Sequence, residues 1–314
     1  MSKHVVPELK SLAIGKSGKM SPETLQKLEE NGFDTVEAVA IATLNDLVEC
    51  DITEERAEEI IREAKKALRM APVSFVTGKE LMDRTKKLAR LGTGMGSVDE
   101  LLGGGLKSGE MTLVWGEYGI GKTQLCHQLA ITTQLPVDQH GLAGGTLWVD
   151  TENTFSIPKI TAIAERYNIK PQDALDNIVV ARVYNSDHQL VVIQRSVEQI
   201  KQHNIRTIIV DSLVAHFRSE YLGRDMLAPK QQKLAKFLRI LFARCRQFNA
   251  VGICTTQAVA NPNPYQRPYL MSGGFTVGHR PQTILFIRRG KSEGAGKQIR
   301  IIQLEKAVDL EPAE

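Results

Sequence analysis

The sequence predicts an α/β fold with a mostly parallel central sheet, preceded by a small all-α domain, and three observations carry that expectation. From residue 92 onward, short apolar runs of strand length alternate with helical stretches, the pattern of a parallel sheet covered by helices on both faces. A glycine loop, Gly116-x4-Gly121-Lys122-Thr123, falls between one such run, MTLVW, and an apolar helix. Residues 21–69, by contrast, show helical periodicity with cap residues and no strand alternation.

The small domain occupies 1–69. Ser21 followed by Pro22 is an N-cap and N1 pair. Leu25, Leu28 and Phe33 continue an apolar face, with Gly32 as a stop. DTVEAVAIA and TLNDLVE give two more helices, and TEERAEEIIREAKKAL a longer one, acidic at its start and basic at its end as the helix dipole favours. Five short helices in about 50 residues resemble a helix-hairpin-helix domain, in which a glycine-containing hairpin offers backbone N–H groups to a DNA phosphate. The candidate hairpin here, CDITEE, has no glycine and carries acids, so a protein-contact module is the competing reading. Residues 70–91 form a linker, opened by Pro72 and carrying an apolar Phe75.

In the core, 92–314, the expected strands are MTLVW, GGTLWVD, NIVVARV, RTIIVD and AVGICTTQ. The expected helices between them include PKITAIAERYN, DHQLVVIQRSVEQIKQHN and KQQKLAKFLRILFARCRQFN. TILFIRR and QIRIIQLE close the chain as a hairpin, adding antiparallel strands.

Composition narrows the function classes. The chain has 314 residues, a soft prior for two domains, and its 42% hydrophobic and 24% charged content is ordinary for a globular protein. No apolar run approaches the roughly 18 residues of a membrane span, and MSKHVVPELK has no apolar signal core. The four cysteines make no CxxC pair and read as reduced thiols of a cytoplasmic protein. The net charge of +4 is unevenly spread: residues 1–70 hold 10 Lys/Arg against 14 Asp/Glu, and residues 217–300 hold 15 against 3. Such a basic stretch favours a polyanionic partner through counterion release, although a solvated basic face on an enzyme binding only ATP would have the same composition.

The glycine loop has the spacing and context of a P-loop. Gly116, Glu117, Tyr118, Gly119, Ile120 and Gly121 curl so that backbone N–H groups face phosphate oxygens, and Gln124 follows on the helix. Lys122 is placed for the β- and γ-phosphates and Thr123 for Mg²⁺. Asp211, at the tip of the apolar strand TIIVD, needs a cation to face and reads as a Mg²⁺ acid, with an N-cap as the alternative. Glu152, just beyond LWVD, suits a group that orients the attacking water; a capping role for Asp150 or Glu152 is the competing reading. Gln257 ends a strand before AVANPNPYQRPYLMSGGFTVGHRP, a stretch with little periodicity, and could sense the γ-phosphate. HFRSEYLGRDMLAPK reads as a second irregular segment carrying Arg218, Arg224 and Lys230. Both segments follow carboxyl ends of strands, the binding edge of an open α/β sheet.

Together these stretches resemble the RecA-type recombinases, and closely the archaeal RadA proteins and their eukaryotic relatives. The resemblance runs through TVEAVA, LLGGGL, GKTQLCHQLA, DTENTF, DNIVVAR, VDSLVAHFRSEYLGR and QQKLAKFLR. It implies a RecA-type P-loop ATPase core, ATP and Mg²⁺ as cofactors, and homo-oligomeric filaments or rings on single-stranded DNA that exchange strands with double-stranded DNA. It also implies a cytoplasmic location, on the nucleoid if the source is archaeal, and no membrane partner. Within it, Glu152 positions water, Asp211 is the metal-side acid, and Arg218 and Arg224 belong to a first DNA loop. Residues 258–280, with Arg267 and Arg280, form a second loop sensed by Gln257. Phe75-Val-Thr-Gly78 lies where the family has a Phe-x-x-Ala motif that docks into the next protomer.

The chain departs from the family at four places. Gly78 replaces Ala, Lys159 stands where an adenine-stacking Arg is expected, Asp225 sits in the first DNA loop, and LEKAVDLEPAE matches the ATP-capping segment poorly. A mediator that does not exchange strands, a RecA-fold DNA motor, and a DNA-coating protein that does not hydrolyse ATP are the competing readings.

Overall fold

The structure is a computed structural model that describes residues 9–12, 20–40, 42–70, 77–79, 82, 88–261, 263, 265, 268–290 and 299–314. It divides into two compact units, residues 1–87 and 88–314. Phe75 and Arg267 lie outside the described residues. Among the described residues, no helix is long and apolar enough to cross a membrane.

In the first unit, a 3-10 turn at Leu9–Ser11 precedes helices α1 (Pro22–Glu30), α2 (Val36–Ala40), α3 (Leu44–Val48) and α4 (Glu54–Met70). Among the described residues of 21–70 there are four α-helices, where the sequence suggested five. Ser21 caps α1, its Oγ accepting from Thr24 N at 3.2 Å. Thr43 and Asp46 form a reciprocal capping box on α3. Leu28, Phe33, Val39, Leu47 and Ile60 are buried together. Two of the turns between these helices contain a residue in the left-handed region. Gly32 (φ 81) supplies it between α1 and α2, and Asp51 (φ 56) between α3 and α4. In the second turn, Cys50 N donates to Leu47 O and Asp51 N to Val48 O, both at 3.0 Å.

The second unit is built on an eight-stranded sheet. A separate two-stranded ribbon pairs β1 (Arg90–Leu91), inside the stretch read as linker, with β2 (Leu106–Lys107). The main sheet comprises β3 (Met111–Gly116), β4 (Gly145–Asp150), β5 (Ile178–Arg182), β6 (Ile205–Asp211), β7 (Val251–Ala260), β8 (Tyr269–Met271), β9 (Thr283–Arg289) and β10 (Arg300–Lys306). Its order is β10-β9-β3-β7-β6-β4-β5, with β8 pairing β7. The five pairings from β9 to β5 are parallel, whereas β10 and β8 pair antiparallel. Side chains alternate between two cores: Leu113, Trp115, Ile208 and Val210 enter one face, and Val114, Trp148 and Ile209 the other. All four cysteines are buried, and burial pushes the Cys254 thiol up to about 12.

The core helices are α5 (Gly96–Leu101), α6 (Lys122–Thr132), α7 (Ile157–Arg166), α8 (Pro171–Asp176), α9 (Ser186–Gln194), α10 (Ser196–Gln202), α11 (Ala215–Glu220), α12 (Leu227–Gln247) and α13 (Gly274–His279). Three local expectations are corrected. The single helix expected over DHQLVVIQRSVEQIKQHN breaks at Arg195 (ψ 5), where Ser196 Oγ donates to Ile193 O and competes with the helical ladder. Most of HFRSEYLGRDMLAPK is helical: α11 carries Arg218 and the first turn of α12 carries Lys230. The long segment after Gln257 is partly ordered as well, because Ala258–Ala260 extend β7 and pair with Tyr269–Met271, and α13 follows.

The Asp51 turn yields a stability prediction. A non-glycine residue in the left-handed region costs roughly 1 kcal/mol, and Asp51→Gly removes that cost. Amide exchange over α3 and α4 should slow by about fivefold; unchanged or faster exchange would show that Asp51 is unstrained there.

Candidate nucleotide and nucleic-acid site

Parallel pairing brings the chemistry-bearing strand ends side by side. Gly116 is paired with Gln257 across β3 and β7, and Asp150 with Asp211 across β4 and β6. The chain leaves β3 through a tight loop. A Cβ at Gly116 would stand 2.3 Å from Ile287 O, so only glycine fits where the loop crosses β9. Gly121 (φ 114) caps α6, and a Cβ there would meet nothing within 4 Å. The loop thus presents an open concavity at a helix N-terminus, the geometry that suits a phosphate.

Lys122 is buried at the base of that concavity. Its Nζ donates to Gly116 O at 3.0 Å and Glu117 O at 2.8 Å. Burial lowers its pKa, and Asp211 and Glu152 oppose that shift. The cavity above it has a volume of about 350 Å³ and is lined by Tyr118 to Gln124, Glu152, Thr154, Asp211, Ser212, Thr255 and Gln257. Gly116 and Glu117 lie outside this lining. The Glu117 carboxylate turns instead toward Arg289 Nε, at 3.8 Å, and hydrogen-bonds the Tyr269 hydroxyl, which raises the Tyr269 pKa. Arg300 on β10 holds the loop from behind through Nε to Ile120 O at 3.2 Å. Lys159 is exposed in the first turn of α7 and does not line the cavity.

Asp211 is 3% exposed and receives three hydroxyls from three separate elements. Thr123 Oγ1 and Thr154 Oγ1 each donate to Oδ2 at 2.8 Å, and Thr255 Oγ1 donates to Oδ1. Thr154 and Thr255 were not singled out in the sequence, because nothing in the spacing of a threonine signals a long-range carboxylate partner. Among the described residues there is no cluster of three His, Cys, Asp or Glu suited to a metal. A Thr hydroxyl and a carboxylate bordering a phosphate-sized concavity nevertheless form a hard-oxygen donor set of the kind Mg²⁺ takes alongside waters and substrate phosphates.

Asp150 and Glu152 have different surroundings. Asp150 accepts from Thr154 N at 3.0 Å and Phe155 N at 3.2 Å, so its carboxylate caps the turn after β4. Glu152 faces the cavity and accepts from Ser212 Oγ at 2.7 Å and Gln257 Nε2 at 3.3 Å. Thr151 and Ser212 exchange two hydrogen bonds, Thr151 Oγ1 to Ser212 O at 2.8 Å and Ser212 N to Thr151 Oγ1 at 2.7 Å, which fastens the ends of β4 and β6.

A second cavity, of about 260 Å³, lies against the first. Glu152, Ser212 and Gln257 line both, and Arg218 and Ser219 line only the second. Lys230 is close enough to Arg218 that burial and the guanidinium charge together lower its pKa. Arg224 is exposed in the short turn between α11 and α12. Arg280 follows α13, its guanidinium 5.3 Å over the Phe242 ring, and burial together with Arg239 lowers its pKa. Gly78 is exposed with open space around it.

A profile of the Rad51 family matches residues 84–313, nearly the whole of the second unit. The chain belongs to the Rad51 family. A second profile, the SAM-like helix-hairpin-helix tandem, matches residues 18–66 of this Rad51-family chain. The Rad51 family is one of RecA-like recombinases whose members bind ATP.

The triple hydroxyl cage on Asp211 is testable. Thr154→Val leaves a buried carboxylate one donor short, a loss of about 1.5–3 kcal/mol for a hydrogen bond to a charged group. Thermal unfolding should shift down accordingly; an unchanged midpoint would mean that water replaces the hydroxyl.

Proposed function

We propose that this Rad51-family protein is a DNA-dependent ATPase that assembles on single-stranded DNA in its ATP-bound state and exchanges the strand with homologous duplex. The observation that carries the proposal is the wall formed by Glu152, Ser212 and Gln257, which borders the P-loop cavity on one side and the Arg218 cavity on the other. A nucleotide state read at Glu152 and Gln257 is thereby read at the cationic edge as well.

Bound ATP with Mg²⁺ supplies the phosphoanhydride that is hydrolysed and part of the charge compensation it needs. This chain's residues supply the rest. Lys122 holds the phosphate charge, exchanging its two loop carbonyls for phosphate oxygens. Thr123 and Asp211 hold the metal side. Glu152 orients and polarises the attacking water, with Ser212 and Gln257 fixing its carboxylate. Gln257, at the root of the β7–β8 hairpin, links that carboxylate to the second DNA segment. Arg218, Arg224, Lys230, Arg267 and Arg280 provide phosphate contacts. Phe75, with Gly78 in place of the family's alanine, anchors one copy to the next in a filament or ring.

Two experiments test this reading. Lys122→Ala should lower DNA-stimulated phosphate release by at least about 100-fold, and release at the parental rate would remove the loop from the mechanism. Arg218→Ala should weaken single-stranded DNA binding and reduce the slope of log K against log salt by about one. A parental slope would place the strand elsewhere.

A further inference from the structure

The turn that carries Glu152 is held from within by side chains on three successive backbone N–H groups. Asp150 accepts two of them, Thr154 N at 3.0 Å and Phe155 N at 3.2 Å, and the third, Ser156 N, donates to His127 Nε2 at 3.0 Å. Asp150 belongs to the strand that leads into the turn. His127 does not: it lies on α6, one helical turn beyond Thr123, and is 1% exposed. Ser156 starts α7, its carbonyl accepting from Lys159 N at 3.1 Å and Ile160 N at 3.0 Å, while its own side chain makes no cap hydrogen bond.

Two aromatic rings pack against the imidazole. Its centroid lies 4.8 Å from that of Trp148 and 6.0 Å from that of Phe155, and Trp148 and Phe155 meet edge to face at 5.2 Å. Burial lowers the His127 pKa and so favours the neutral ring. A neutral ring that accepts at Nε2 carries its proton on Nδ1. Any flat apolar ring would serve the packing against Trp148 and Phe155. An acceptor nitrogen aimed at the main chain does something packing does not require: it ties that main chain to α6.

We infer that His127 is a positioning residue for hydrolysis, its Nε2 setting the 152–156 turn, and with it the Glu152 carboxylate, against the helix that carries Lys122 and Thr123. The inference rests on the ATPase reading above. A small displacement of a water-orienting carboxylate slows the chemical step. It does not loosen the nucleotide, because the phosphate cradle lies on α6 and the loop before it, so the loss appears in kcat and not in KM.

The test is DNA-stimulated ATP hydrolysis by the full chain with substitutions at this one position. An amide side chain can replace either ring nitrogen. Gln sets an acceptor oxygen near the place of Nε2, whereas the shorter Asn reaches only that of Nδ1. His127→Asn should lower kcat by as much as about 100-fold with KM for ATP unchanged. His127→Phe should do the same while keeping the ring packing, and His127→Gln should restore turnover. Circular dichroism and thermal unfolding check that each variant is folded. Nitrogen NMR of the parent adds a measurement independent of any variant: the His127 proton is expected on Nδ1, and a proton on Nε2 overturns the inference. Equal turnover in the folded Asn and Gln variants overturns it as well, as does a retained kcat with a raised KM in the Asn variant, which would place the defect in nucleotide binding. If the parent hydrolyses ATP and the variants do not separate, this inference alone falls; if the parent with single-stranded DNA hydrolyses none, the ATPase reading falls with it.

Discussion

The buried carboxylate of Asp211 is the constraint on which the site depends. Placing a carboxylate at the inner tip of a central parallel strand is costly unless its oxygens are satisfied. Here the donors come from the helix after the P-loop, the turn after β4 and the middle of β7. None of these elements can move independently while the carboxylate is satisfied. The P-loop, the Glu152 turn and the β7 strand are thereby held in one arrangement around one charge. The Thr151–Ser212 exchange reinforces it by fastening β4 to β6 just beyond the paired Asp150 and Asp211.

From that fixed base, coupling to the outer segments follows through short connections. Gln257 reaches Glu152 on one side, and its backbone carbonyl accepts from Ser272 N at 3.0 Å on the other. Thr256 Oγ1 donates to Ser272 O at 3.1 Å. These bonds close the root of the β7–β8 hairpin, so a change in the side chain of Gln257 acts on an ordered element that continues into α13. On the P-loop side, Glu117 is engaged by Arg289 and Tyr269, the latter on β8. The hairpin is therefore tied to Glu152 from β7 and to the P-loop residue Glu117 from β8.

Much of the architecture was legible in the sequence because it rests on local signals. Strand-length apolar runs marked β3, β4, β6 and β7, and the glycine loop marked the turn between β3 and α6. Cap chemistry at Ser21 marked the start of α1. The segment after Gln257 was less legible. Its glycines and prolines suppress periodicity, and its order comes from pairing with β7, from the Val277 anchor and from Lys306, which lies 27 residues beyond His279. The first segment, with Arg218, Arg224 and Lys230, was read as irregular chain although α11 carries Arg218 and α12 carries Lys230, because the short α11 has too few turns to show a pattern.

The sequence by itself determined which side chains stand at the binding edge of the sheet: a lysine and threonine after a glycine loop, acids at two strand ends, an amide near a third, and a basic stretch between 217 and 300. Those are properties of residue type and spacing. Only the tertiary structure decided their division of labour. Asp150 and Glu152 are two residues apart and chemically alike, yet one is consumed in capping a turn and the other faces the cavity. Glu117 lies within the loop motif but turns its carboxylate away from the cavity, and Thr255 lies far from it in sequence but completes it. The physical reason is that direction and desolvation are set by neighbours from distant strands, and a linear spacing carries neither.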